Sequence, residues 1–328
     1  MGITSKDIAR ICGVSRGTVD RALNNKPRIK QETKERILKT AQELGYRPDL
    51  IARSLVTGKT MSLGVVVFDI RNRYFAQLLN SIEITAKKRG YFVNITLQEK
   101  DPYMEIKLID SLVDRRVDGI ILCPVNKGDG VGEYLRNLPI PLVVVGNFIS
   151  PGIPFIGIDE FKAASDAFKL IVSKGYQRIV FVCPPLADKD KENIYSHEKR
   201  LEGFMAAAEQ MKAIEHIVID NWDYMNEIKK LVKKNDLKTA FFCSGDTFAL
   251  EIMKLFRSLK ITIPDQVGIM GFDYIDTLEY VTPALSTIYN PVSEIGSKAV
   301  ETLIDLIEGK EVEPYLLIEH KIIMGESL

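Results

Sequence analysis

Long hydrophobic runs are missing from this sequence. No apolar stretch among its 328 residues approaches the roughly 18 that a membrane helix needs, and the opening MGITSKDIAR has no apolar core of the kind that heads secreted proteins. A cytoplasmic protein with no membrane partner is expected. Cysteine is scarce and scattered: Cys12, Cys123, Cys183 and Cys243 form no CxxC pair, and no histidine cluster stands near them. That argues against a zinc framework or a disulfide scaffold. Three of the four end apolar runs (GIILC, IVFVC, AFFC) and read as buried thiols. Histidine is rarer still, with only the isolated His197, His216 and His320. There is no P-loop, G-x-S-x-G, HExxH or glycine fingerprint after the first strand. Neither an enzyme nor any cofactor or bound metal is expected.

The chain exceeds one ordinary domain, and its charge is divided along its length. The 44 basic and 44 acidic residues cancel, but residues 1–60 hold thirteen Lys and Arg against six Asp and Glu, a net of +7. The rest then carries 31 against 38, or −7. A basic head on an acidic body points to a polyanion partner for the head alone; the competing reading is a merely solvated basic face.

The head reads as three short helices. Thr4 can cap the first, with Asp7 favourably placed in its first turn. Ile8, Ala9 and Cys12 give it one apolar stripe. Gly13 supplies the positive φ of a tight turn, and Ser15 can cap a second helix. There Val19, Ala22 and Leu23 point inward while Arg16, Gly17, Asp20 and Arg21 are left outward. A third helix places Ile37, Leu38, Ala41 and Leu44 inward and stops at Gly45. Two helices joined by a glycine turn, with arginines exposed on the second, match the geometry that reads a DNA major groove.

TSKDIARICGVSRGTVDRALNNKPRI resembles the N-terminus of the lactose/galactose-repressor (LacI/GalR) family: a threonine-led cap, D-[VI]-A, then G-V-S, then T-V-x-R-x-L-N. The resemblance implies a head over residues 1–48 that binds double-stranded operator DNA through Thr4, Ser15, Arg16, Gly17, Thr18, Asp20, Arg21 and Asn24. Two positions depart from the pattern. Asp20 replaces a small residue, and can either orient Arg16 one turn away or accept from a cytosine amino group. Lys30 replaces a capping serine, so the third helix is expected to start less firmly.

The run Tyr46-Arg47-Pro48-Asp49-Leu50-Ile51-Ala52-Arg53-Ser54-Leu55 resembles the family's hinge, expected over residues 49–60. A helix this short is marginal alone. By the resemblance two hinge helices pair in the minor groove, Arg53 contacts DNA, and Leu55 wedges between base pairs. A plain linker is the competing reading. A homodimer, or a higher oligomer built on it, is implied.

From Ser62 onward short apolar strands alternate with amphipathic helices: SLGVVVF, YFVNITL, GIILC, PLVVVG and FIGI, then RIVFVC, IEHIVI, TAFFCS and VGIMGF. Such strands indicate parallel sheets covered on both faces, with ligand at the strands' carboxyl ends. The expected fold is α/β: an all-α helix-turn-helix head, then two doubly wound α/β subdomains of periplasmic-binding-protein-like type over residues 61–328. Tyr74-Phe75-Ala76, Arg116-Val117-Asp118-Gly119, Arg200-Leu201-Glu202-Gly203-Phe204, Gly245-Asp246 and Gly271-Phe272-Asp273 extend the resemblance through this body.

The resemblance implies a small-molecule effector, a sugar or sugar derivative, held by Tyr74, Phe75, Asn147, Arg200, Asp246 and Asp273, with Trp222 or Tyr224 as a further wall. A guanidinium and a carboxylate can hold neighbouring hydroxyls while an aromatic face covers the ring. The competing readings are a core position for Phe75, a helix-capping role for Asp273 and a surface ion pair for Arg200. Arg71 and Arg73 flank Asn72 where small residues or proline are common; such cations suit an acidic or phosphorylated sugar, or are simply exposed. The function implied is transcriptional repression under effector control. Activation is the alternative, since operator position sets the sign, and a transport-type binding protein is a more distant one.

Overall fold

The structure, a computed structural model, describes residues 3–46, 58–186, 192–233 and 237–328. They fall into two compact units, one ending at Thr60 and the other beginning at Met61. The hinge residues Arg53 and Leu55 lie outside the described residues.

In the first unit, α1 (Ser5–Ile11), α2 (Arg16–Leu23) and α3 (Gln31–Glu43) pack around Ile8, Val19, Ala22 and Ile37. Thr4 and Asp7 form a reciprocal capping box at α1. Gly13 turns the chain at φ +63, which costs a residue without Cβ nothing. Ser15 then accepts the Thr18 N–H at 3.1 Å to start α2. Lys30 occupies the α3 cap position with no side-chain bond, the soft start that its sequence implies. Leu38 and Leu44, expected inward, are 40% and 36% exposed; the buried line of α3 runs through Ile37 and Ala41. Cys12 Sγ meets Thr40 Oγ1 at 3.5 Å, tying α1 to α3.

The second unit holds two six-stranded sheets. The first contains β1 (Ser62–Val67), β2 (Phe92–Leu97), β3 (Gly119–Leu122), β4 (Leu142–Val145), β5 (Phe155–Ile158) and β11 (Tyr315–Ile318), in the order β2-β1-β3-β4-β5-β11. The second contains β6 (Arg178–Val182), β7 (Glu215–Ile219), β8 (Thr239–Cys243), β9 (Val267–Asp273), β10 (Ser286–Tyr289) and β12 (Lys321–Ile323), in the order β7-β6-β8-β9-β10-β12. All pairings are parallel except β10 with β12. Each sheet reverses its winding beside its first strand, the switch point at which doubly wound sheets bind ligands.

Helices α4 (Arg73–Lys88), α5 (Pro102–Asp114), α6 (Asp129–Arg136), α7 (Glu160–Ser173), α8 (Tyr195–Gln210), α9 (Tyr224–Val232), α10 (Asp246–Ser258) and α11 (Val292–Ile307) are joined by a 3-10 turn at Asp276–Tyr280. The strand interiors are dry: Val65, Val66, Val67, Ile121, Phe181, Phe241 and Phe242 are all 0% exposed. All four cysteines are buried free thiols.

The two sets of strands are not simply successive. The chain crosses from the first sheet to the second after β5, returns after β10 so that α11 packs on α4 and beneath β3–β5, and crosses again between β11 and β12. Among the described residues, no helix is long and apolar enough to cross a membrane.

Candidate functional site

A cavity of about 450 Å³ opens where the carboxyl ends of both sheets converge. The first sheet contributes Phe68 and Asp69 after β1, Cys123 after β3, Asn147 after β4 and Glu160 after β5. The second contributes Pro184 after β6, Ser244 and Gly245 after β8, and Asp273 at the end of β9.

Arg200, 5% exposed on α8, forms the floor. Its Nε donates to Glu160 Oε2 at 2.7 Å and its Nη2 to Oε1 at 3.2 Å, while Nη1 donates to the Ser244 carbonyl. Asp273 Oδ1 stands 3.5 Å from Nη2. The guanidinium lies over the Phe272 ring, with Cζ 3.5 Å from its centroid, a position from which the ring quadrupole attracts it. Burial raises the pKa of Glu160, and Arg200 draws it back. Burial pushes Asp273 up to about 6 against the same pull. Asp273 and Tyr274 both take positive φ, at 107° and 59°, and backbone strain of this kind concentrates at functional sites.

The walls are aromatic and amide. Phe75 meets Phe68 edge-on at 4.9 Å and Tyr74 at 5.2 Å, so it both lines the cavity and packs against the core. Tyr74 and Phe248 also line the cavity, as does Trp222, which is 68% exposed. Asn147 joins the two sheets' loops: its Nδ2 donates to the Asn193 carbonyl at 2.8 Å, and its Oδ1 accepts from Ser196 Oγ at 2.8 Å and Ser196 N–H at 3.1 Å.

Six of the eight residues expected at the effector thus line one cavity: Tyr74, Phe75, Asn147, Arg200, Trp222 and Asp273. Two do not. Tyr224 is 6% exposed within the second subdomain's core, its hydroxyl bound to Glu251, so of the two proposed aromatic walls only Trp222 faces the cavity. Asp246, 1% exposed, is held by the Thr287 hydroxyl at 2.6 Å and the Ile275 N–H at 2.9 Å and supports the floor from behind. Burial and the neighbouring Asp273 push its carboxyl up to about 8.

The lining residues missed by sequence reasoning include Glu160, Asn193, Ser196, His197, Ser244, Phe248 and Lys100. Arg200 is neither a surface ion pair nor a free guanidinium, because Glu160 holds two of its nitrogens. Arg73, read with Arg71 as cationic, is bound through Nε to Asp276 Oδ1 at 2.9 Å and through Nη2 to Oδ2. Arg71 lines the cavity.

On the head, Arg16, Gly17, Asp20, Arg21 and Asn24 are exposed or partly exposed along α2. Arg16 Nε donates to Ser5 Oγ at 3.2 Å, tying the start of α2 to α1. Asp20 accepts from Asn24 Nδ2 at 2.7 Å and Lys26 Nζ at 2.9 Å.

Comparison with known proteins matches residues 4–49 to the family described as bacterial regulatory proteins, lacI family. Residues 168–328 match a periplasmic binding protein-like domain. The chain is 31% identical over 317 residues to the HTH-type transcriptional repressor CytR of Escherichia coli (strain K12), covering 94% of this chain and 91% of that one. Its fold is similar to that of a Lac repressor dimer bound to operator and the anti-inducer ONPF, with TM-score 0.86, 21% identity and coverage of 100% and 99% of the two chains. A periplasmic binding protein/LacI transcriptional regulator from Alkaliphilus metalliredigens QYMF, complexed with D-xylulofuranose, is 26% identical at TM-score 0.70, over 81% of this chain and 98% of that one.

Proposed function

The chain belongs to the lacI family of bacterial regulatory proteins, and from that premise we propose that it is a repressor whose operator affinity is set by a sugar or sugar derivative in the cavity of the body. What carries this reading is the presence in one chain of a helix-turn-helix head and a cavity floored by Arg200 and Asp273. Repression is the activity in CytR's name, and D-xylulofuranose is the ligand of the Alkaliphilus relative.

In this reading residues 1–48 bind DNA, 49–60 are the hinge and 61–328 bind the effector. Thr4, Ser15, Gly17, Thr18 and Asn24 seat α2 on the backbone. Arg16 reads a base edge, and Arg53 and Leu55 engage the minor groove. The protein acts in the cytoplasm as a homodimer, because one short head per chain offers too little surface for specific affinity. Regulation, not turnover, is its role. The test is selection of the full-length protein's binding site from random duplexes, followed by titration of that site with and without sugars. A near-palindromic site, released or tightened by a sugar, is the expected result; binding without sequence preference overturns it.

A further inference from the structure

The cavity's charges are unequally committed. Glu160 and Asp273 are bound to Arg200. Asp69 Oδ1 accepts the backbone N–H of Arg71 at 2.7 Å and of Asn72 at 3.0 Å. Arg73 is bound to Asp276. Two cations are left over: Arg71 and Lys100 both line the cavity, and among the described residues neither has an ion-pair partner. Glu192 is the one lining carboxylate with neither an ion pair nor a hydrogen bond among those residues.

Lys100 is presented by a defined turn. Glu99 and Lys100 take φ +52 and +62 in succession. The turn is pinned by the Gln98 N–H on Val67 O, the Glu99 N–H on Phe68 O and the Asp101 N–H on Gln98 O, each at 2.9–3.0 Å. Two consecutive non-glycine residues in the left-handed region cost energy that the surrounding bonds must offset. The result is a lysine whose backbone is set beside the cavity and whose exposed side chain lines its wall. His197 lines the same cavity, and its buried Nδ1 has no hydrogen-bond partner. Burial, then Arg200 and Lys100, lower its pKa to about 3, so the ring is neutral and can donate one N–H.

Building on the sugar-effector reading, we propose that the effector carries an anionic group, a carboxylate or a phosphate, received by Arg71, Lys100 and His197, while its hydroxyls turn toward Asp273 and Ser244. Ser244 fits the second half: it is 0% exposed, lines the cavity, and its Oγ has no partner. A neutral sugar leaves both cations with water alone. An anion there makes charge-assisted hydrogen bonds, the stronger kind. The floor carboxylates reject the opposite orientation, so the ligand's polarity fixes its direction in the cavity.

The experiment is calorimetric titration of the full-length protein with D-glucuronate, D-galacturonate and D-glucose 6-phosphate, each against D-glucose and D-galactose. Melting of the unliganded variants reads folding separately. An anionic probe is expected to bind about tenfold or more tightly than its neutral counterpart, as one charged hydrogen bond permits. The uronate and phosphate arms tell the two anions apart. Lys100→Gln and Arg71→Gln should each erase most of that advantage, and added salt should weaken the anionic probe alone. If neutral sugars bind as well or better, this inference falls while the sugar reading stands. If the advantage survives in both variants, the placement of the anion falls. If no probe of either kind binds, both the inference and the reading beneath it fall.

Discussion

Arg200, within α8, and Glu160, the first residue of α7, form a two-pronged ion pair on the cavity floor, with side chains only 6% and 5% exposed. Two charges so deeply buried are tolerable only together, since removing one partner of such a pair typically costs about 3–5 kcal/mol. Glu160→Ala should therefore lower the body's stability by about that amount, less whatever Asp273 recovers. Urea unfolding followed by circular dichroism would reveal it. Arg200→Ala should retain operator binding and lose the effector response. If that variant responds like the wild type, the cavity is not the effector site.

The recognition helix makes a sharper prediction. Arg16→Ala should cost about 1–3 kcal/mol at one base position of the operator and relax preference there. Arg21→Ala should weaken all sequences alike, as loss of a backbone contact does. Titrating single-substitution operators separates the two patterns, and an unchanged preference in Arg16→Ala would remove that residue from base reading.

The hinge is tested apart from both sites. Leu55→Ala should weaken operator binding while leaving effector affinity of the free protein nearly unchanged. Coupling between such sites is typically about 1–3 kcal/mol, so a modest change in hinge packing is enough to be measured. Parallel titrations with operator and sugar decide it.

Protonation gives a fourth outcome. Asp246 is raised to about 8 and Asp273 to about 6, both from an ordinary 3.8 and both chiefly by burial. The folded protein therefore holds protons that the unfolded chain has released. The stability these groups contribute is complete below the unfolded value and is lost as pH rises through about 6 and then about 8. The body's melting temperature should thus fall between about pH 5 and pH 8.5, and Asp246→Asn, which cannot ionise, should flatten the upper part of that fall. An identical slope in the variant would remove Asp246 as its source.

Much of this was legible because its physics is local. Thr4 and Ser15 act on backbone N–H groups three residues away, and short apolar runs such as GIILC and IVFVC, alternating with helical patterns, read as buried strands. Cavity residues at strand ends were legible for the same reason, since strand ends were. Glu160 was not. In the chain it is an acidic residue in the first turn of α7, which is ordinary, and nothing near it announces an arginine 40 positions later. His197 hid in a charged stretch. Asp246 was misplaced because GD at a strand end looks the same whether the carboxylate faces ligand or backbone. β10 and β11 escaped notice because STIY is half polar and YLLI is a four-residue run beside the charged stretch Glu308–Glu313, with alternating exposure.

The chain's three passages between its sheets bear on how it can be made. The first sheet is finished only by β11, and the second only by β12, so neither lobe is a continuous stretch of sequence. Domains generally fold in order as they leave the ribosome, and the head can do so at once. The body cannot: its first lobe waits for α11 and β11, which lie beyond nearly the whole of the second. During synthesis a finished DNA-binding head therefore precedes any finished effector pocket, and the two lobes are completed almost together, by β11 and β12.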